Sequence, residues 1–234
     1  MIQFGSRSTK HAVEGAEARR TLREPLVLLA FGSVALAVSA YRPYDSATWW
    51  MEVFPIFLGV PVLLATARRF PLTPLAYRLI FVHALILMLG GHYTYARVPL
   101  GFWVQEAFGM ARNHYDRLGH FAQGFIPALL AREVFLRTTQ LRRGGWLFFF
   151  VCCFALALSA TYEFVEWWAA LIGGEGADAF LGTQGDPWDT QWDMFLALCG
   201  AVAGQLLLSR RQDRELATLG GEDAAGRVPS RGPL

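Results

Sequence analysis

Three clusters of ionisable residues interrupt the apolar stretches of this 234-residue sequence. They lie in residues 113–121, in residues 163–166 and in residues 185–194. An ionisable group at membrane depth costs roughly 2.5–3.5 kcal/mol on insertion scales, so such a cluster indicates a functional site. The acidic and histidine residues of the three clusters are His114, Asp116, His120, Glu163, Glu166, Asp186, Asp189 and Asp193.

The first cluster combines a carboxylate with two imidazoles. Asp116 and His120 are four residues apart and therefore share one face of a helix, and His114 lies just before that helix. Such a set suits zinc, manganese or iron, and it equally suits proton handling because histidine titrates near neutral pH. The structural alternative is that Asp116 caps the helix while both histidines lie among lipid headgroups.

The second cluster is a pair of glutamates near the end of a long apolar segment. Glu163 and Glu166 are three residues apart, so they face the same direction. Acids near the C-terminal end of a helix oppose its dipole, so capping does not explain them. They require a metal, a shared proton or a nearby arginine, unless the helix protrudes and both acids are solvated.

The third cluster opens the last apolar segment. Asp186 followed by Pro187 is typical of a helix start, so Asp186 is a structural candidate first and a site residue second. Asp189 and Asp193 are four residues apart and share a face. The predicted metal ligands, for zinc or manganese because the set mixes nitrogen with oxygen, are His114, Asp116, His120, Asp189 and Asp193.

Other polar residues complete the predicted site. Arg112 and Arg117 would hold a phosphate or carboxylate of a substrate, with Gln191 close by, or else they anchor lipid headgroups. His92 is a further possible member of the cluster. Glu163 or Glu166 would act as the general base.

The elements that must position these groups are membrane helices, since 54% of the residues are hydrophobic and only 17% are charged. The apolar residues fall into blocks close to the ~20 residues that cross a bilayer as a helix. We predict an all-α fold with six spans, at about 25–41, 47–67, 75–96, 116–136, 146–172 and 190–209. Residues 1–24 form a cytoplasmic segment, and residues 210–234 are predicted to be a disordered cytoplasmic tail.

The basic residues predict the orientation. With the N-terminus in the cytoplasm, all but four of the 21 lysine and arginine residues fall on the cytoplasmic side. The four exceptions are Arg42, Arg97, Arg112 and Arg117. This bias follows the positive-inside rule and places both termini in the cytoplasm. All three acidic clusters then lie toward the outer face.

Several function classes are excluded or disfavoured. The sequence has no Gly-rich phosphate loop, no His-Glu-x-x-His pair, no Gly-x-Ser-x-Gly elbow and no basic soluble surface for nucleic acid. Cys152, Cys153 and Cys199 lie inside predicted helices and are interpreted as small apolar side chains rather than a disulfide or zinc framework.

The sequence resembles the YjdF-like family of bacterial inner-membrane proteins, whose function is unknown. The motifs that carry this resemblance are Asn113-His-Tyr-Asp-Arg with His120-Phe121, Glu163-x-x-Glu-Trp167 and Gly185-Asp-Pro-Trp-Asp-x-Gln-Trp-Asp-Met194. More distantly, Asp116, His120, Glu163, Asp189 and Asp193, followed by Gly200 and Gly204, are similar to the VanZ-like membrane proteins. The resemblance implies a multi-pass protein of the bacterial inner membrane with a polar site at the envelope face.

Three functions are compatible with these residues. The first is a metal-dependent hydrolase or transferase that acts on a lipid-linked envelope substrate, and the second is a non-catalytic envelope or antibiotic-stress factor that binds a lipid or a partner. The third is a proton or metal transporter. Transport is the weakest, because residues 141–158 and 195–208 are nearly all apolar and leave no polar path to the cytoplasm.

Overall fold

The computed structural model describes residues 5–173 and 184–226, with side-chain surroundings for 22–172 and 184–219. This part of the chain is all-α, as predicted, and contains no strand. Its elements are α1 (Gly5–Ala40), α2 (Ser46–Thr66), α3 (Pro74–Tyr93), a 3-10 helix (Tyr95–Arg97), α4 (Pro99–Phe108), α5 (Tyr115–Thr138), α6 (Gly145–Gly173) and α7 (Asp189–Gly226).

Five helical segments of the described chain are long and apolar enough to cross a membrane: Leu22–Ala40, Ser46–Thr66, Pro74–Tyr93, Gly145–Ile172 and Asp189–Leu219. Helix α5 has 24 residues, a length of about 36 Å, which also matches a bilayer. It is not among the five segments because its charged residues lower its hydropathy. These are Asp116, Arg117, Arg132, Glu133 and Arg137.

Helix α7 differs most from its predicted bounds. The sequence predicted an end near Ser209 and a disordered tail beyond it, whereas α7 continues to Gly226. Gln212 is fully buried, and its side chain donates a hydrogen bond to the carbonyl oxygen of Leu129 in α5. Hydropathy did not predict this extension of α7, because the contacts that stabilise it are polar. Residues 174–183 and 227–234 lie outside the described residues.

Two short elements between α3 and α5 were not predicted. The 3-10 helix and α4 form one connection, and α4 ends at Gly109, whose φ of +61° suits glycine. Asn113 is buried beneath α4 and donates to the carbonyl oxygen of Val98. Its carboxamide occupies the space that a side chain at Gly101 would need. This packing fixes the chain just before the predicted site residues.

Helices α5 and α7 pack with their backbones in contact. A Cβ atom added to Gly124 would lie 1.8 Å from the carbonyl oxygen of Ala197, and one added to Gly200 would lie 2.1 Å from that of Phe121. Such close approach requires small residues and is a common way in which membrane helices associate. The contact holds the start of α5 beside the start of α7.

A buried polar network joins α3, α5 and α7 at the other end of the bundle. The carboxylate of Glu133, which is 0% exposed, accepts hydrogen bonds from the backbone N–H and hydroxyl of Thr73, at 3.0 and 2.7 Å. Arg137 donates to the same carboxylate at 3.0 Å, and Gln212 donates at 3.4 Å. Because donors surround this carboxylate, its burial is compensated and its role is structural.

Enlarging Gly124 should separate α5 from α7. For Gly124→Leu we expect a loss of about 3 kcal/mol in the free energy of unfolding, because the added side chain meets backbone atoms that have no room to move. Thermal unfolding of the purified protein in detergent measures this loss. Gly59→Leu is the matched control, since a Cβ at Gly59 has no heavy atom within 4 Å. Equal stability of both variants would contradict the described packing.

Candidate functional site

His120 lies at the centre of a buried acidic cluster formed by α5, α6 and α7. Its Nε2 atom lies 3.6 Å from Oδ1 of Asp116 and 3.8 Å from Oδ2 of Asp193. Its Nδ1 atom lies 3.1 Å from Oε1 of Gln123 and 3.9 Å from Oε1 of Glu163. The two ring nitrogens therefore face different sets of oxygens.

Oxygen acceptors face both ring nitrogens of His120, and a metal on Nε2 would leave the proton on Nδ1. With the proton on Nδ1, the ring donates to Gln123 and faces the carboxylate of Glu163, and Nε2 presents its lone pair to Asp116 and Asp193. A carboxylate or amide behind a histidine is the usual outer partner of a metal-binding imidazole. This arrangement prepares Nε2 for ligation.

The spacing of the three inner residues suits one metal ion. Distances of 3.6 and 3.8 Å are too long for hydrogen bonds. Ligand atoms 2.0–2.2 Å from one tetrahedral zinc are about 3.3–3.6 Å apart, which is close to the observed separations. One ligand atom from each of Asp116, His120 and Asp193 can be chosen so that all three lie within 4.8 Å of one another. All three residues are buried.

Among the described residues, three carboxylate oxygens of the cluster are buried without a hydrogen-bond partner. They are Oδ2 of Asp116, Oδ1 of Asp193 and Oε1 of Glu163. An unpaired buried carboxylate is strongly unfavourable unless a proton or a cation compensates it. In this respect the cluster is the opposite of the Glu133 network, where every oxygen has donors. A cation or shared protons would satisfy the unpaired oxygens.

The two arginines near the cluster pair with its other two aspartates. Arg112 donates to Asp189 at 2.7 Å and lies 3.6 Å from Asp186, while Arg117 donates to Asp186 at 2.8 Å. Burial and these two guanidinium groups lower the pKa of His114, which is the residue just before α5. The structure thus places Asp186, Asp189 and His114 with the arginines, and it places Asp193 with His120.

Glu52 of α2 is a member of the cluster that the sequence analysis did not assign. It is 4% exposed, and its Oε2 accepts a hydrogen bond from the Tyr162 hydroxyl at 3.2 Å. The Tyr95 side chain also interacts with this carboxylate. Its charge interacts with those of Asp116 and His120. A signal was present, because Glu52 lies inside the predicted span 47–67. Glu52 is the only acid in α2, so no neighbouring charge at helical spacing marks it as a site residue.

Two glycines allow Tyr95 to reach Glu52. A Cβ atom at Gly90 in α3 would lie 2.4 Å from the Tyr95 ring, and one at Gly119 in α5 would lie 2.7 Å from it. The ring therefore fills a slot between α3 and α5. Burial raises the pKa of Tyr95 well above its usual value, so its hydroxyl remains protonated.

The remaining predicted residues lie at the edge of the cluster or outside it. Glu166 is half-buried, and its charge interacts with those of His120 and Glu163. Gln191 is exposed at the start of α7. His92 hydrogen-bonds through Nδ1 to the carbonyl oxygen of Ser39 at 2.9 Å, which ties α3 to the end of α1.

Comparisons with known proteins agree with this architecture. The family model described as "Predicted membrane protein (DUF2238)" matches residues 24–214. The chain is 55% identical over 204 residues to "Inner membrane protein YjdF" of Escherichia coli (strain K12), a match that covers 86% of this chain and 97% of that protein. No solved structure matches significantly. The chain therefore belongs to the DUF2238 family of membrane proteins and is a YjdF-like protein of the inner membrane, as the sequence motifs predicted.

Proposed function

We propose that this protein binds a divalent cation through Asp116, His120 and Asp193 and is a metal-dependent hydrolase or transferase. Zinc or manganese suits two carboxylates and one imidazole better than magnesium or calcium does. The observation that carries the proposal is the position of His120, whose Nε2 faces two carboxylates at ligand spacing while their other oxygens are unpaired.

The surrounding acids have distinct roles in this proposal. Gln123 is the hydrogen-bond partner of Nδ1 of His120, and the carboxylate of Glu163 faces the same nitrogen, so both would position the imidazole as a ligand. Glu166 is the more exposed of the two glutamates and accepts the proton of the attacking water. A metal held by Asp116, His120 and Asp193 would supply the acidity that makes a bound water nucleophilic near neutral pH. Three protein ligands leave a coordination position for water or substrate, as in catalytic zinc sites.

Membrane location and charge suggest the class of substrate. The cluster lies where α5 and α7 begin and where α6 approaches its end, so it belongs to one end of the bundle. A lipid-linked substrate of the cell envelope would present its polar group at that level. Arg112 and Arg117 already pair with Asp186 and Asp189, so they would bind a phosphate by exchanging these partners.

The packing below the cluster favours an enzyme or a binding protein over a transporter. The core between α5, α6 and α7 is mainly apolar and contains the buried residues Ala128, Leu147, Val151, Ala155 and Ala201, together with the buried polar residues Ser159 and Gln205. Gln205 hydrogen-bonds to Phe148, Cys152 and Ala201, so among the described residues no continuous polar path connects the acidic cluster to the Glu133 network. The second candidate function is therefore a non-catalytic envelope factor that binds a lipid or a partner at the same site.

Metal content tests the ligand assignment. Purified wild-type protein should contain about one zinc or manganese ion per chain by inductively coupled plasma mass spectrometry. Asp193→Asn and His120→Ala should lose nearly all of it, because each removes one of three ligands. Asp186→Asn is the matched control, since Asp186 pairs with arginines instead. Folded wild-type protein that takes up no added zinc or manganese would contradict the proposal.

Glu166 distinguishes catalysis from binding alone. Glu166→Gln should retain the metal yet lose at least ~100-fold in the rate of phosphate or headgroup release from a bacterial lipid extract, because a general base contributes about that much. Glu106→Gln, on the neighbouring helix α4, is the control. A metal-loaded wild-type protein that releases no product from the extract would favour the non-catalytic factor.

The topology is part of the proposal. We infer that α5 also spans the membrane, giving six spans with both termini in the cytoplasm and the acidic cluster toward the outside. The distribution of basic residues supports this orientation. Reporter fusions should show an external location after Gly109 and a cytoplasmic location after residue 234. An external C-terminus would exclude the six-span arrangement.

A further inference from the structure

A second cavity lies between α1, α2 and α3, away from the acidic cluster. Its volume is about 690 Å³, and its lining is apolar apart from Arg68, Tyr77 and Ser33, whose hydroxyl donates to the carbonyl oxygen of Leu29 within α1. In the described part of the chain α1 and α2 both pack against α3 and make few contacts with each other. The cavity is therefore a cleft between α1 and α2, which both pack against α3. Along α1 it extends from Leu22 to Leu36, about 21 Å of helix.

The cleft is closed toward the acidic cluster. Trp49, Val53 and Met88 form a buried apolar group at that end, and Leu36 and Ile56 of the cleft lining pack against it. Glu52 lies beyond this group and faces Tyr162. The cleft and the candidate metal site are thus separate, and an occupant of the cleft does not reach the carboxylates.

The opposite end of the cleft carries a guanidinium group. Arg68 is exposed and lines the cleft where α2 ends, and no ion pair joins it to an acidic side chain among the described residues. Glu24 of α1 lies near the same end, but its carboxylate pairs with Arg78. An anion at this mouth would therefore meet Arg68 without competition from Glu24.

We propose that the cleft binds one acyl chain of an anionic phospholipid, with the lipid phosphate on Arg68. The three helices that form the cleft are candidate membrane spans, so hydrocarbon surrounds it and an acyl chain fills it without desolvating any polar group. The apolar lining holds the chain irrespective of the headgroup, and Arg68 selects for negative charge. This site does not depend on the proposed metal function.

Lipid titration of the purified full-length protein, followed by native mass spectrometry, tests the site. The probes are phosphatidylglycerol and phosphatidylcholine with identical acyl chains. We expect the first phosphatidylglycerol to bind about fivefold more tightly than phosphatidylcholine, the effect of roughly one cationic side chain. Arg68→Gln should abolish this preference. Arg69→Gln, which changes an adjacent exposed arginine outside the cleft lining, should leave it unchanged.

A second pair of variants tests the acyl chain. A Cβ atom at Gly32 would lie 3.7 Å from the Phe81 ring, and both residues line the cleft, so Gly32→Phe should fill it. Binding of both lipids should weaken at least tenfold in Gly32→Phe and remain at the wild-type level in Gly59→Phe. If thermal unfolding shows that Gly32→Phe is unstable, Gly32→Leu is tested in its place. Equal binding by the two glycine variants, or a preference for phosphatidylglycerol that survives Arg68→Gln, would overturn the proposal.

Discussion

The backbones of α5 and α7 touch where Gly124 meets Ala197 and where Gly200 meets Phe121. The relative position of Asp116, His120 and Asp193 depends on this contact, since the first two residues begin α5 and the third begins α7. A side chain at any of these glycines would push the helices apart by the width of a methyl group or more. The three side chains that we propose as ligands would then be too far apart to share one metal ion.

The buried carboxylates at the two ends of the bundle differ in their hydrogen-bond partners. Glu133 is surrounded by donors from Thr73, Arg137 and Gln212, so its burial stabilises the arrangement of three helices. In the other cluster, acids from α2, α5, α6 and α7 surround the imidazole of His120, and several of their oxygens have no hydrogen-bond partner in the part of the chain that the structure describes. Buried charge without compensation is rarely retained for stability alone, which is why we assign function to this end.

Apolar packing isolates these regions from one another. The core between α5, α6 and α7 separates the acidic cluster from the Glu133 network, and the group around Val53 separates the cluster from the cleft of α1–α3. The protein thus combines a buried polar cluster with a separate apolar cleft. Because the two sites are separate, a substitution at Asp193 changes the acidic cluster without changing the cleft, and a substitution at Gly32 does the reverse.

The sequence by itself determined the all-α membrane class, the family and the main members of the cluster. Hydropathy and the spacing of charges are local properties, so they can be read directly from the order of the residues. It also paired Asp116 with His120, since four residues make one helical turn. Only the tertiary structure decided that Asp193 joins His120 while Asp189 joins Arg112, and that Glu52 and Tyr95 reach the cluster from other parts of the chain. It also decided that α7 continues past Ser209, because the contacts that stabilise this extension are polar and come from α5. Contacts between residues distant in the chain depend on helix packing at particular glycines. Hydropathy does not show which helix faces pack together.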